Sequence, residues 1–244
     1  MLKQSILLLI TKLGKFFGFL IFRRNVNNDP ELQVDRIIVN HSISLIIDVG
    51  ANEGQFAEKF IKNKNIKKII SFEPITDAFN VLKRRSASYP GWLVQNFALG
   101  SEEGIAQINI SNNSVSSSLR KLTENHTKAA PNSKNINTEK VAVTTLDTYY
   151  ENSDTIDLTH RILLKIDTQG FEREVLMGAR NLLKSVDVIM LETSFTVLYD
   201  GQALFDEIHG FMRNEGYKII NIIPGFKDER TGQLLQADFV YSRK

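Results

Sequence analysis

The sequence predicts an α/β fold: a mainly parallel sheet with helices on both faces. Three observations carry that expectation. From residue 44 onward, short β-rich apolar runs alternate with longer amphipathic stretches. Most of these runs are apolar throughout, the pattern of strands buried on both sides. A chain of 244 residues can bury one sizeable core, which makes one main domain the default.

Taken in order, residues 44–49 predict a strand and 55–63 a helix, then 68–72 a strand and 75–86 a helix. Residues 92–98 predict a third strand. Further on come a continuous apolar strand at 161–166, a helix at 171–183, a strand at 186–191 and a helix at 204–215. Strands at 217–223 and 237–241 have no helix between them, so they read as an antiparallel hairpin closing the sheet. One region breaks the alternation. Residues 104–110 and 139–145 show period-two patterning and predict an inserted β-hairpin. The stretch between them, 111–138, is rich in Ser, Asn, Thr and Lys and predicts a long loop, functional or disordered.

Composition excludes several classes. The formal net charge of +2 is too small to argue for a nucleic-acid partner. Its basic part sits at the N-terminus, in Lys3, Lys12, Lys15, Arg23 and Arg24, and the remainder is mildly acidic. There is no cysteine, which removes disulfides, thiol nucleophiles and Cys-based zinc sites and fits a reducing, cytoplasmic setting. Residues 2–22 are mostly Leu, Ile and Phe, but Lys12 and Lys15 interrupt them. That interruption opposes both a cleaved signal peptide and a membrane-spanning helix. On a helical wheel Gln4, Thr11, Lys12, Lys15 and Gly18 fall opposite Leu2, Ile6, Leu9, Ile10, Leu13, Phe17, Leu20 and Ile21. Residues 1–28 therefore predict an imperfect amphipathic helix with a basic face, set apart from a domain at 29–244. Its residues 1–24 suit peripheral contact with an anionic membrane, such as the inner face of the cytoplasmic membrane. The other reading is a helix packed on the domain or on a partner subunit.

The most informative segment is LIIDVGANEGQF at 45–56, a strand, a tight turn and a helix. In open α/β sheets ligands bind at the carboxyl ends of the strands. Gly50 lets backbone approach a ligand, Asn52 tolerates unusual backbone angles, and Gly54 allows close packing as the helix with Phe56 begins. The turn reads G-x-N-x-G and not the G-x-G-x-x-G of dinucleotide sites. Asp48 just before it would repel a pyrophosphate and suit a ligand carrying an ammonium and a sulfonium, as S-adenosylmethionine does. Glu73 ends the second strand at the spacing where an acid accepts both ribose hydroxyls. Phe72 or Ile75 is a candidate to flank the adenine, and Asn96 and Ala98, ending the third strand, to bond its edge.

The segments IIDVGANEGQF, SFEP, NFALGSEEG, SSSL, VTTLD, LLKIDTQGFEREVLMGA and VIMLET follow one another in the order of the FkbM-type methyltransferases, which the chain resembles from about residue 40 onward. The resemblance implies the class I methyltransferase sheet of seven strands in the order 3-2-1-4-5-7-6, the last antiparallel. It also implies O-methylation with S-adenosylmethionine as methyl donor, on acceptors such as sugars, glycan chains and polyketide-type metabolites. One departure stands out: many relatives carry Glu where this chain has Gln169. The N-terminal basic helix is not part of the family core.

Methyl transfer to a hydroxyl needs alignment of the reacting atoms and a group to take the proton. Asp167, at the end of the fourth strand, is the first candidate for base or acceptor anchor, and Glu192, ending the fifth, the second. Together they are alternatively a site for a divalent cation that lowers the acceptor's pKa. Glu172 is a candidate helix cap, and Lys165 a partner for an acid. His126 in the long loop is an outside catalytic candidate, while His41, His160 and His209 sit at no catalytic strand end. Ser116–Ser118 and the loop 199–202 are candidates to contact cofactor or acceptor. Two other readings stay open: an NAD-dependent oxidoreductase, and a catalytically inactive S-adenosylmethionine-binding protein at the membrane, to which Gln169 lends some support.

Overall fold

Apolar runs of five residues build the centre of the sheet, because every side chain in them can be buried on one face or the other. They are β1 (Leu45–Val49) and β7 (Ile162–Ile166), each buried along its whole length, and β2 (Lys68–Phe72). The computed structural model describes residues 2–19 and 24–243. The chain divides into two compact units, Met1–Arg36 and Ile37–Lys244.

In the first unit α1 spans Leu2–Phe16, and Gly18 follows in the left-handed region (φ 78°). The expected helix therefore ends earlier than 22; Leu20, Ile21, Phe22 and Arg23 lie outside the described residues. Across the boundary between the units runs α2 (Pro30–Asn40), which the periodicity reading missed. Its start carries the usual signals, a proline at the first position and Asp29 Oδ1 accepting from Leu32 N at 3.1 Å.

The second unit continues from β1 through α3 (Gln55–Phe60), β2, α4 (Thr76–Ser86) and β3 (Trp92–Gln95) to β4 (Ala98–Leu99) and β5 (Gly104–Ser111). Then come α5 (Glu124–Ala129), β6 (Asn135–Thr144), α6 (Leu146–Glu151), β7, α7 (Glu172–Met177), α8 (Arg180–Leu183), β8 (Val188–Ser194), α9 (Phe205–Asn214), β9 (Lys218–Pro224) and β10 (Gln236–Ser242). The main sheet has seven strands in the order β3-β2-β1-β7-β8-β10-β9. Numbered within that sheet alone, this is 3-2-1-4-5-7-6, and only β10 runs antiparallel to its neighbours. The predicted fold class is the observed one. A second sheet, β4-β6-β5, holds the inserted antiparallel pair.

Three expectations are corrected. The third strand stops at Gln95; Phe97 turns in to pack on Phe72 and Tyr149, and Ala98 and Leu99 pair with β6 in the second sheet. The helix expected at 171–183 breaks at Gly178, where a Cβ would lie 1.9 Å from Gly100 O. The stretch 111–138 is folded: it contains a 3-10 turn at Ser114–Ser116, α5, and bridges from Ser118 to Asn109 and from Leu122 to Tyr199.

Strand alternation assigns the two faces of the main sheet different tasks. One face, with Leu45, Ile47, Val49, Phe72, Leu164, Ile166, Leu191 and Phe239, belongs to the main apolar core. On the other face the register sets Asp48 beside both Ser71 and Lys165, and Glu192 beside Asp238. That face turns polar toward the carboxyl ends of the parallel strands.

Candidate active site

The turn between β1 and α3 is shaped by close approach. Gly50 (φ 77°) donates to Phe72 O at 3.1 Å, and a Cβ on it would lie 1.9 Å from Asp167 O, so no other residue fits. A Cβ on Gly54 (φ 91°) would meet Leu82 and Trp92 at 2.8 Å, so α3 can pack there only with glycine at its start. Asn52 holds a left-handed backbone (φ 49°). Its N–H donates to Glu73 Oε2 at 2.8 Å, and Ile75 N donates to Glu73 Oε1 at 2.8 Å. Glu73 thus ties the two loops together. It is 5% exposed, and burial raises its pKa to about 7 against these backbone donors. Each carboxylate oxygen keeps a lone pair for a further donor.

Asn96, just beyond β3, donates through Nδ2 to Glu73 O and Pro74 O, both at 3.0 Å. Ala98 packs instead in a small cluster with Ile75, Ala78, Ile108 and Val141, so of the pair expected beside the adenine only Asn96 is exposed. Phe72 is buried in the main core and Ile75 in the small cluster.

A polar row crosses the sheet from this turn. Trp92 Nε1 donates to Ser71 Oγ at 2.9 Å, and Ser71 Oγ lies 3.5 Å from Asp48 Oδ2. Asp48 has no exposed surface; burial pushes its pKa up and Lys165 pulls it back. Lys165 Nζ lies 3.2 Å from Asp48 Oδ1 and 3.4 Å from Asp167 Oδ2, and sits over the Phe56 ring at 5.3 Å. Burial opposes the charged form of Lys165, but Asp48, Asp167 and Asp238 outweigh it and hold its pKa above the ordinary lysine value. An unpaired buried charge would cost several kcal/mol, roughly 3–5 when one partner is removed, which makes Lys165 the keystone of the row.

Beyond Lys165 the row continues through amides. Gln169 Nε2 donates to Asp167 Oδ1 at 2.6 Å and to Glu192 Oε2 at 2.7 Å. Gln236 Nε2 donates to the same Glu192 oxygen at 3.0 Å. Gln169 Oε1 accepts from the Tyr199 hydroxyl at 2.6 Å. Burial, then Asp167, Asp238 and Glu172, hold the Glu192 pKa well above the ordinary range. Asp238 is raised to about 6 by burial and Asp167.

His126 is buried on α5, its ring 5.2 Å from that of Tyr199 and its Nε2 3.4 Å from the Tyr199 hydroxyl. Burial lowers its pKa, so it is a neutral group lying behind Tyr199 and Gln169. Ser118 Oγ donates to Gln169 O at 2.7 Å, and Ser116 Oγ pairs with Ser133 Oγ at 3.1 Å. Both serines are spent on internal bonds. Glu172 Oε1 accepts from Thr168 N, Thr168 Oγ1 and Gly170 N, capping the turn before its helix.

The structure therefore brings Asp48, Gly50, Asn52, Gly54, Phe56, Glu73, Asp167 and Glu192 to one end of the sheet, with Asn96 at the edge. It keeps Ala98 out and seats His126 behind. Gln236, Asp238 and the Tyr199 link were missed; the signal for the first two was a pair of polar residues two apart at the start of a buried strand. The cation-site alternative gains no support. Among the described residues no group of three or more His, Cys, Asp or Glu side chains is arranged to hold a metal, and the Gln169 amide bridges the two carboxylates.

The residues at the turn suit S-adenosylmethionine better than a phosphate ligand. Asn52 Oδ1 is buried without a partner, Glu73 offers two oxygens, and Asp48 Oδ1 faces the Lys165 ammonium at 3.2 Å. These are acceptors that match an amine and ribose hydroxyls and oppose anions. The model of the methyltransferase FkbM domain matches residues 48–219. The chain belongs to the FkbM methyltransferase family. No curated protein matches it. A solved FkbM methyltransferase from Methylobacillus flagellatus KT is similar over 81% of this chain and 44% of its own, with 14% identity and a TM-score of 0.50. The chain thus spans less than half the length of that FkbM relative. The tRNA methyltransferase TrmK of B. subtilis is similar over 90% of this chain and 68% of its own, with 10% identity and a TM-score of 0.47. At 14% identity the likeness to the FkbM structure speaks for the fold alone. Within the FkbM domain, the matched span holds every residue of the turn and the row up to Glu192; Gln236 and Asp238 lie beyond it.

Proposed function

We propose that this FkbM-family protein is an S-adenosylmethionine-dependent O-methyltransferase acting on a hydroxyl of a sugar, glycan or related small metabolite. The observation that carries the reading is the set of acceptor oxygens on Asp48, Asn52 and Glu73 at the turn, joined to a carboxylate row at the neighbouring strand ends. Glu73 would hold the ribose hydroxyls, Asn52 Oδ1 a further donor, and the Asp48–Lys165–Asp167 group the field around the positive end. When bound, the cofactor supplies a methyl group on a sulfonium, open to displacement by an oxygen. The chain's own residues align the acceptor hydroxyl and take its proton, and alignment is the larger effect, up to about 7–11 kcal/mol when ideal. Within the row, Gln169 and Gln236 both donate to Glu192 Oε2, which leaves Glu192 Oε1 to accept from a hydroxyl.

A hydroxylated small acceptor is favoured over nucleic acid because the net positive charge lies before residue 25 and the rest of the chain is mildly acidic. The exposed Ile6, Leu7, Leu9, Ile10 and Leu13 of α1, with Lys12 and Lys15, support a further part of the proposal: residues 1–24 lie on an anionic membrane surface at the cytoplasmic side. Among the described residues no helix is long and apolar enough to cross a membrane.

The decisive experiment has two arms. Calorimetry is expected to detect binding of S-adenosylhomocysteine and none of NAD, and Glu73→Ala to weaken that binding. Labelled S-adenosylmethionine added to cell extract with the protein is expected to mark a glycan or small-metabolite pool. Binding of NAD in place of S-adenosylhomocysteine would return the chain to the oxidoreductases. Cofactor binding with no pool marked would make it an inactive binder.

A further inference from the structure

We propose that Glu192 Oε1 takes the proton of the attacking hydroxyl, and that the Gln169 and Gln236 amides are the positioning residues that aim it. The proposal rests on the methyl-transfer reading and assigns its base.

The assignment follows from which oxygens are already engaged. Both oxygens of Asp167 have partners: Oδ1 accepts from Gln169 and Oδ2 faces the Lys165 ammonium. A proton moved onto Asp167 would end beside that positive charge. Glu192 differs. Its Oε2 takes both amide donors, from Gln169 and Gln236, while Oε1 receives no hydrogen bond from a described residue. Two donors on one oxygen fix the plane of the carboxylate and leave the other oxygen for a substrate proton.

The orientation of the Gln169 amide is also determined. Tyr199, whose hydroxyl is buried, donates to Oε1, which turns the two hydrogens of Nε2 toward the two carboxylates. Gln169 reaches this position from a left-handed backbone (φ 54°) whose carbonyl is held by Ser118 Oγ. A glutamate at 169 would set a third oxygen against two others at hydrogen-bond distance and would trap a proton between them. The neutral amide lets Asp167 and Glu192 stand side by side as carboxylates without sharing one.

In the step itself the acceptor O–H bond breaks. Its proton goes to Glu192 Oε1, and its electron pair becomes the new oxygen–carbon bond as the carbon–sulfur pair remains on sulfur. One positive charge at the donor and one negative charge at Glu192 disappear together, and the proton later leaves Glu192 for water. The groups facing Glu192 are Asp167, Asp238, Glu172 and Lys165, with Tyr199 behind Gln169. Three carboxylates against one ammonium make a proton welcome there.

The test is 13C NMR on the full chain labelled at the side-chain carboxyls of Glu and Asp. Three glutamate carboxyls, those of Glu73, Glu172 and Glu192, are expected to titrate above the ordinary range, and the third is identified as the one missing in Glu192→Gln. Its midpoint is expected to fall in Asp167→Asn, and to rise in Gln169→Ala, where a donor to the ionised form is gone. An unmoved midpoint in Gln169→Ala overturns the positioning role. With labelled S-adenosylmethionine and a glycan fraction, Glu192→Gln is expected to lose at least about 100-fold in rate while still binding S-adenosylhomocysteine, and Glu192→Asp to recover part of it. Loss of the rising limb of the pH profile in Asp167→Asn, with its retention in Glu192→Gln, overturns the assignment. A wild-type chain that labels no fraction overturns the methyl-transfer reading and the base with it. That failure is distinguishable, because the carboxyl titration is read without any acceptor.

Discussion

Glu172 illustrates how a single buried carboxylate makes the protein sensitive to pH. Its Oε1 takes three donors, but burial dominates and raises its pKa to about 7 from 4.5. The folded state therefore holds this proton more tightly than the unfolded state does. The contribution is complete below about pH 4.5 and is lost as pH rises through 7, up to about 3 kcal/mol. Glu73 acts in the same direction over the same window. Urea unfolding across that range is expected to show a decline that becomes shallower in Glu172→Gln, which keeps Oε1 and removes the titration. An identical slope in wild type and variant would rule this out. The same scale explains what the sequence could reveal of the site. Asp48, Glu73, Asp167 and Glu192 were legible because each ends or nearly ends a predicted strand beside a ligand-binding turn. That Asp48 is wholly buried against Lys165 was not, since pairing across neighbouring strands depends on register. Tyr199 was hidden for a similar reason: its partner Gln169 lies thirty residues away and meets it only through the fold.

Among the elements, the segment joining β5 to β6 has the largest consequence. It was expected to be loose, and its polar composition justified that, but its side chains bond one another and the domain. Arg120 is the principal fastening: it pairs with Glu174 at 2.7 Å and donates to Asp200 O at 2.9 Å. Charge-assisted bonds of this kind contribute about 1.5–3 kcal/mol. In Arg120→Ala, amide exchange across 111–134 is expected to quicken by roughly 10-fold or more while β7 and β8 stay protected. Uniform exchange throughout the domain would refute a local fastening. Other elements were readable and missed. The start of α2 is written in Asp29 and Pro30, and that of α6 in Thr145, whose hydroxyl accepts from Thr148 N at 2.9 Å. Periodicity alone passes over α6, because six residues complete fewer than two turns.

At the scale of the molecule, charge is unevenly spread: the residues before 25 are basic with no acid among them, and the remainder is mildly acidic. If residues 1–24 lie on a membrane, the full chain should sediment with anionic vesicles and not with zwitterionic ones. Each lysine near such a surface is worth about 1 kcal/mol, so Lys12→Glu with Lys15→Glu should lower partitioning by roughly 30-fold or more. Equal sedimentation of wild type and variant would end the membrane assignment. The overall architecture was the most legible level of all, because buried parallel strands announce themselves as apolar runs. The second sheet was only half visible, since Ala98 and Leu99 are too short a strand to signal their departure from the first.

The missing side chain of Gly50 has a mechanical consequence. With its α-carbon pressed against the carbonyl of Asp167, Gly50 leaves no gap between the end of β1 and the end of β7, where the proposed donor and acceptor would meet. Under the proposed function, the spacing between methyl donor and acceptor would be set when the chain folds.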